Sequence, residues 1–282
     1  MKYKPDLSLR KRLGLEIFRQ IRQNAKEKHS LRQLFWECTL RCNLQCKHCG
    51  SDCKKTAFQK DMPLTDFLRV IDSITPHINP NKTNLIISGG EPLMRNDLEQ
   101  AGLALYQRGY PWGIVSNGLF LTRKRLDSLM TAGLHAITIS LDGFENDHNW
   151  MRGHPKSFLR ASEAIQMLTE EQELVWDVVT CVNRKNYRYL SEWKEYLYGI
   201  GVRNWRIFTI FPVGRAVEYP EFQLTNEEFT GVMEFIRRTR KEGRMQLNYG
   251  CEGFLGKYEG EVRDGFFSCN AGICIGSILA DG

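Results

Sequence analysis

The sequence predicts an α/β protein built as a partial (βα)6 barrel, preceded by a basic helix and followed by a short extended tail. Three observations carry this prediction. Short apolar runs alternate six times with amphipathic helical stretches, the pattern of parallel strands joined by right-handed crossovers. Polar words (Gly89-Gly90-Glu91-Pro92, Ser116-Asn117-Gly118 and Ser140-Leu141-Asp142-Gly143) stand directly behind successive runs, where a parallel barrel collects its chemistry. Five of the nine cysteines lie within residues 38–53, immediately behind the first run.

Taken in order, residues 8–28 place Leu9, Leu13, Ile17 and Ile21 four positions apart, with Phe18 adding width and most of the arginines elsewhere. This is an amphipathic helix, capped by Asp6 or Ser8. Its apolar stripe is expected to pack on the barrel's outside or closed end; the alternative is a helix that docks on a membrane surface or a partner. Residues 34–40 read as a buried strand. A helix opens at Pro63-Leu64-Thr65, buries Phe67, Val70, Ile71 and Ile74, and ends near Pro76. Strands over 83–88, 112–115, 135–141, 174–182 and 203–210 alternate with helices over 98–108, 122–132, 156–169 and 187–198. A last helix starts at Thr225. Residues 148–153 read as a loop. An eight-strand barrel lacks the residues, so the barrel is expected to stay open on one side and admit a large substrate. The organisation is then 1–32 helix, 33–243 barrel and 244–282 tail.

Composition narrows the function. With 42% hydrophobic and 26% charged residues among 282, one large core is affordable to the fold. The net charge is +6, but residues 1–32 hold ten Lys/Arg against Asp6, Glu16 and Glu27, so the rest of the chain is about neutral. A nucleic-acid partner is therefore not expected. No run of eighteen apolar residues and no export signal is visible, which points to a cytoplasmic chain. In such a compartment clustered cysteines indicate metal binding or catalysis, not disulfides.

Cys42, Cys46 and Cys49 form C-x3-C-x2-C on what reads as a tight loop behind a strand. Three thiolates there suit a [4Fe–4S] cluster with one iron left open to a small molecule. The competing reading, structural zinc, wants four ligands in paired short spacings. Cys38 is expected to fill core, and Cys53 to be a bystander thiol.

The spacing, with Trp36-Glu37 before it and Cys46-Lys47-His48-Cys49 within it, resembles the radical S-adenosylmethionine (SAM) superfamily, and its flanks resemble the SPASM/twitch branch. The wording also resembles the rSAM/lipoprotein-system subgroup. The resemblance implies a TIM-like partial barrel. It also implies a [4Fe–4S] cluster on Cys42, Cys46 and Cys49, SAM chelating the open iron, and reductive cleavage to a 5′-deoxyadenosyl radical, with a flavodoxin or ferredoxin as reductant. It places His48 beside the adenine and Gly89 and Gly90 at the methionine portion, with Glu91 supporting that turn. Ser116, Asn117 and Ser140 fall at the ribose and carboxylate, and Asp142 at SAM or substrate. Arg152 would pair with the SAM carboxylate or a substrate acid, and Val182-Asn183 would flank the adenine. Cys181 is expected in the core.

Behind the last helix, Cys251, Cys269 and Cys274 resemble the start of a SPASM/twitch segment that binds an auxiliary iron–sulfur cluster. Gly265, with only three residues before Cys269, departs from the family spacing. Asp281-Gly282 signals a hairpin turn, and the tail is expected to be truncated, with the auxiliary cluster belonging to a longer form. The other reading makes these three cysteines small buried residues. The SPASM resemblance makes a peptide or protein side chain the expected target; a small cofactor precursor is the alternative, and a non-catalytic iron–sulfur or zinc protein the reading outside enzymes. A membrane surface is not expected as partner.

Overall fold

The computed structural model describes residues 7–51, 53–250 and 253–282. Eight α-helices and eight strands follow one another along these residues: α1 (Leu9–Lys28), β1 (Gln33–Glu37), α2 (Leu64–Ile74), β2 (Asn84–Ser88), α3 (Leu98–Gln107), β3 (Trp112–Ser116), α4 (Arg123–Thr131), β4 (Leu134–Ser140), α5 (Glu145–Arg152), α6 (Ser157–Thr169), β5 (Val175–Val182), α7 (Leu190–Gly199), β6 (Asn204–Thr209), α8 (Asn226–Glu242), β7 (Gln246–Tyr249) and β8 (Ile275–Ile278). The strands form one parallel sheet in the order β7-β6-β5-β4-β3-β2-β1-β8.

Because β1 to β7 are neighbours in chain order, every crossover steps the same way. The helices therefore cover one face, and the sheet curls around the other. Strand alternation sorts the residues. Leu34 and Trp36, Leu85 and Ile87, Ile137 and Ile139, Val178 and Val182, and Trp205 and Ile207 are buried under the helices. Trp36 stacks on Phe67 of α2 with ring centroids 3.6 Å apart. The buried Thr180 hydroxyl donates to Leu141 O at 2.6 Å and accepts from the Trp205 indole at 2.9 Å, so this polar atom is satisfied inside the apolar layer. The opposite face, toward the lumen, carries a polar cluster of Thr138, Asp177 and Arg206, where Thr138 donates to Asp177 and Arg206 grips both.

Four expectations need correction. The sheet has eight strands, not six: β7 and β8 are four residues each, and the described residues of the link between them form no α-helix, so the extra strands need few residues. The tail strand, read only as leading into a hairpin turn, pairs parallel with β1, Leu34 facing Gly276 and Trp36 facing Ile278; the turn at Asp281-Gly282 does form, with Gly282 N–H donating to Leu279 O at 3.1 Å. Residues 148–152, read as part of a loop, belong to α5, which Gly153 ends in the left-handed conformation at φ +67°.

The fourth correction concerns α1. Ser8 caps it, while Asp6 lies outside the described residues. Its stripe of Leu9, Leu13, Ile17 and Ile21 faces solvent, Leu13 being 59% and Ile17 64% exposed. The helix is held by its other side. Phe18 packs on Phe266 at 5.7 Å between ring centroids, Lys11 pairs with Glu261, and Arg22 reaches Asn270 and the Cys269 carbonyl. α1 thus lies on the tail that links β7 to β8. Among the described residues no helix is long and apolar enough to cross a membrane.

Candidate active site

The cysteine loop leaves β1 at the carboxyl mouth of the barrel. Cys42 and Cys46 are buried, Cys49 is half-buried, and Leu44 and Leu119 pack with them. The loop is fixed by backbone contacts from its neighbours. Gly90 N–H donates to Thr39 O at 2.7 Å and Glu91 N–H to Arg41 O at 2.9 Å. A Cβ on Gly89 would lie 2.3 Å from Thr39 O, and one on Gly90 2.1 Å from Arg41 O. The close approach that requires these glycines is therefore to the cysteine loop itself. From the far side, Gly214, at φ +57°, would carry a Cβ 2.5 Å from the Cys49 and Gly50 carbonyls, while Arg215 donates to Cys46 O and Cys53 O, both at 2.9 Å. Arg95 holds the start of the loop through Cys38 O at 2.7 Å.

Glu91 is buried and works as a tie. One carboxylate oxygen accepts from Ser116 Oγ at 2.9 Å and Leu93 N at 3.1 Å, the other from Asn117 N at 2.8 Å. Burial pushes its carboxyl above the usual range despite these donors. Ser116 also accepts from Gly118 N at 3.0 Å, so its hydroxyl is committed to the turn. Asn117 turns its side-chain amide toward the cysteines, 2.8 Å from Asn43 Oδ1 and 3.9 Å from Cys42 Sγ. Ser140 is buried at the end of β4, on the Thr138 side of the strand.

Asp142 is the hub of the opposite wall. Its carboxylate accepts from Arg152 Nε at 2.7 Å and from Cys181 N at 3.0 Å, and His48 Nε2 lies 3.9 Å away. Burial favours the neutral acid, but Arg152 first, then His48, His148 and the Cys181 amide, hold it well below the ordinary carboxylate range. Arg152, buried on the last turn of α5, also points Nη1 at Cys46 Sγ, 3.8 Å away. Burial, with Arg152 nearby, drives His48 down to about 4 and His148 to about 3, so both rings are neutral at pH 7. His148 accepts from Asp142 N at 3.0 Å and shares a 3.0 Å hydrogen bond with Ser157.

Ligand atoms of His48, Asp142 and Cys181 lie within 4.8 Å of one another. The Arg152 guanidinium already occupies Asp142, and its fixed charge repels a cation there, so this trio does not suit a metal ion. Cys181 is not a core residue; it is half-buried at the mouth. The three motif cysteines do suit a cluster. Burial raises Cys42 to about 12 and also raises Cys46, and iron displaces such protons. Amide and guanidinium N–H groups point at two of the sulfurs. Buried Asn43 Nδ2 and His48 Nδ1 have no partner, and two orphaned buried nitrogens beside the loop fit a polar ligand seated on it. Cys38 is fully buried, as expected for core, and Cys53 packs against Cys42 and Cys46. Cys274 lies at the other end of β1, its carbonyl accepting from Arg32 N and Gln33 N; Cys269 is exposed, and Cys251 lies outside the described residues.

Sequence reasoning missed four of these contributors: Arg95, Arg215, Asn43 and the His148 acceptor. Arg215 stood inside Pro212-Val213-Gly214-Arg215-Ala216, and only the contact of that loop with the cysteine loop shows its role.

A parallel barrel with a three-cysteine loop at its carboxyl mouth is the architecture of an iron–sulfur enzyme. The family model of the radical SAM superfamily matches residues 36–197, and the chain belongs to that superfamily, whose members use a [4Fe–4S] cluster and SAM. It is 29% identical over 223 residues to the AdoMet-dependent heme synthase of Oleidesulfovibrio alaskensis, covering 78% of this chain and 56% of that protein. It is 28% identical over 207 residues to the Fe-coproporphyrin III synthase of Methanosarcina barkeri, covering 73% and 51%. The chain thus spans little more than half the length of these relatives. Among solved structures it is similar to Streptococcus suis SuiB bound to S-adenosylmethionine, with a TM-score of 0.69 at 15% identity over 95% of this chain and 64% of that one. The AdoMet-bound anSMEcpe gives 0.62 at 14% identity, over 77% and 64%. At such identities the likeness establishes the fold.

Proposed function

We propose that this enzyme modifies a side chain of a peptide or protein, with the cluster held by Cys42, Cys46 and Cys49. When bound, the cluster supplies the electron that cleaves SAM to methionine and a 5′-deoxyadenosyl radical. The chain's own residues orient and protect. Asn117 and Arg152 donate toward the Cys42 and Cys46 sulfurs, favouring their anionic form. Asp142 fixes the Arg152 fork by its Nε and leaves Nη2 outside that pair to meet a carboxylate. His48, neutral and buried, offers its orphaned Nδ1 to a polar edge beside the loop. Gly89, Gly90 and Glu91 hold the turn that faces the methionine portion, and Ser140 and Asn183 line the wall around the nucleoside.

The observation that carries this reading is the pair of buried, unpaired nitrogens, Asn43 Nδ2 and His48 Nδ1, beside three thiols on one loop. The peptide assignment is supported by the polar cluster of Thr138, Asp177 and Arg206, and by the likeness in fold to SuiB, whose structure bound to precursor peptide SuiA is known. A second reading, a tetrapyrrole precursor as substrate, is favoured by the names of the sequence relatives. The test is deuterium transfer. Candidate peptides and Fe-coproporphyrin III, deuterated at their aliphatic carbons, are offered to the reduced enzyme with SAM. Deuterium in 5′-deoxyadenosine from a peptide supports the first reading; label arising from the porphyrin alone replaces it with the second.

A further inference from the structure

Four segments at the mouth bring together a second group of side chains. Lys47, behind β1, sets its Nζ 5.3 Å from the Trp150 ring centroid and 4.9 Å from that of Tyr219, and lies 3.3 Å from the Tyr219 hydroxyl. Lys185, behind β5, holds its Nζ 3.7 Å from the Trp150 centroid. Trp150 comes from α5, behind β4, and Tyr219 from the loop behind β6. Phe222 backs both rings, edge-on to Trp150 at 5.6 Å and stacked on Tyr219 at 5.2 Å, so the aromatic wall is fixed.

Neither ammonium pairs with a carboxylate among the described residues. Asp147, in the lining of the same cavity as Lys185, accepts from the Tyr189 hydroxyl at 2.5 Å and makes no ion pair with either ammonium. An indole face attracts a cation without cancelling its charge, and two ammoniums on one ring repel each other. An anion held near both offsets that repulsion. The aromatic wall beside the lysines suits an organic acid, whose carbon body can lie on the rings while its carboxylate meets both lysines. The position is next to the chemistry: Lys47 sits between Cys46 and His48, and Asp142, Asp147, Trp150, Asn183 and Lys185 line one narrow cavity.

We propose that Lys47 and Lys185, on the wall of Trp150 and Tyr219, are the carboxylate-recognition subsite for the substrate. The proposal rests on the reading that this mouth admits a peptide or a cofactor precursor, and it adds that the substrate is an acid. A glutamate or aspartate side chain and a porphyrin propionate share this chemistry.

The experiment measures binding by calorimetry on the anaerobically reconstituted full chain with SAM present. The probes are a Glu/Ala peptide, its Gln/Ala counterpart, Fe-coproporphyrin III and its tetramethyl ester. At least one acid is expected to bind about tenfold more tightly than its neutral counterpart. Lys185→Gln should remove that advantage and Lys185→Arg restore it, while the neutral probe binds wild type and Lys185→Gln alike. Which acid binds identifies the source of the carboxylate. Lys47→Gln is read in the same way, and iron per chain certifies each variant. If Lys185→Gln loses its iron, the acid-against-neutral comparison on the wild-type chain decides. Equal binding of acid and neutral probe, no binding of either acid, an acid advantage that survives Lys185→Gln, or displacement by inorganic phosphate at equal concentration overturns the assignment. A Gln peptide that binds as well as the Glu peptide, with the porphyrin acid and its ester also binding alike, sinks the subsite but leaves the peptide reading standing. An advantage confined to the porphyrin keeps the subsite and removes the peptide reading.

Discussion

The contact between the Gly89-Gly90 turn and the cysteine loop allows a steric test that replaces none of the three cysteines. Gly90 does not have a positive φ, so alanine is tolerated there conformationally and the cost is spatial alone. Its Cβ would stand 2.1 Å from Arg41 O and 2.6 Å from Arg41 C, against a tolerable approach of 3.0 Å or more, so the backbone next to Cys42 must retreat by roughly an ångström. Both sides of the clash are backbone, and no side chain can rotate away. Overpacking of this kind costs about 1–3 kcal/mol, which is about 2–12 °C in melting temperature for a domain of this size. Moving Cys42 should also lower the iron bound per chain after reconstitution. Gly199→Ala is the matched control: nothing lies within 4 Å of its Cβ, and it ends α7, so the change should be neutral or slightly stabilising. Thermal melts by circular dichroism and iron analysis on the two variants provide the readout. Wild-type iron and melting temperature in Gly90→Ala would refute the account of the loop.

Other expectations concern acid stability and the outer helix. His48 and His148 are held at about 4 and about 3, below the ordinary imidazole value, so the unfolded chain takes up their protons first as pH falls. Stability is therefore full above about pH 6.5 and declines toward pH 4, with these two groups adding up to about 2.7 kcal/mol per pH unit. His148→Gln, followed by urea titrations across that range, should cut their share of the slope by about half; an unchanged slope contradicts the burial argument. On α1, Ile17→Gln should leave the melting temperature within about 1 °C because the side chain is exposed, whereas Phe18→Ala should lower it by breaking the contact with Phe266. The reverse order would mean that the stripe, and not the opposite face, holds the helix.

The sequence showed most of the barrel because its strands are apolar on the helix side and its helices carry caps that can be read locally, such as Thr122 before α4 and the Thr225/Glu228 capping box of α8. It also exposed the cysteine loop, since C-x3-C-x2-C is a local word. The failures share a cause. The four-residue spacing on α1 established a helix, but which side packs depends on Phe266, Glu261 and Asn270, some 250 residues away. β8, Ile-Gly-Ser-Ile, carries too little apolar pattern to announce a strand, and it forms because β1 offers an unpaired edge. The glycines behind β2 were legible as a special turn. Their partner, the backbone at Thr39 and Arg41, was not. Cys181 looked like core because its strand is apolar; its place at the carboxyl end puts it beside His48 and Asp142 instead.

The central claim is that Cys42, Cys46 and Cys49 hold the cluster at which SAM is cleaved. Iron, sulfide and zinc per chain, together with 5′-deoxyadenosine formed after reduction, test it on anaerobically reconstituted wild type and on the Cys42→Ala/Cys46→Ala/Cys49→Ala variant. The account predicts about four irons in the wild-type barrel site with SAM cleavage, and neither that iron nor cleavage in the triple variant. Stoichiometric zinc without iron in the wild type, or a triple variant that keeps a full cluster and still cleaves SAM, would contradict it.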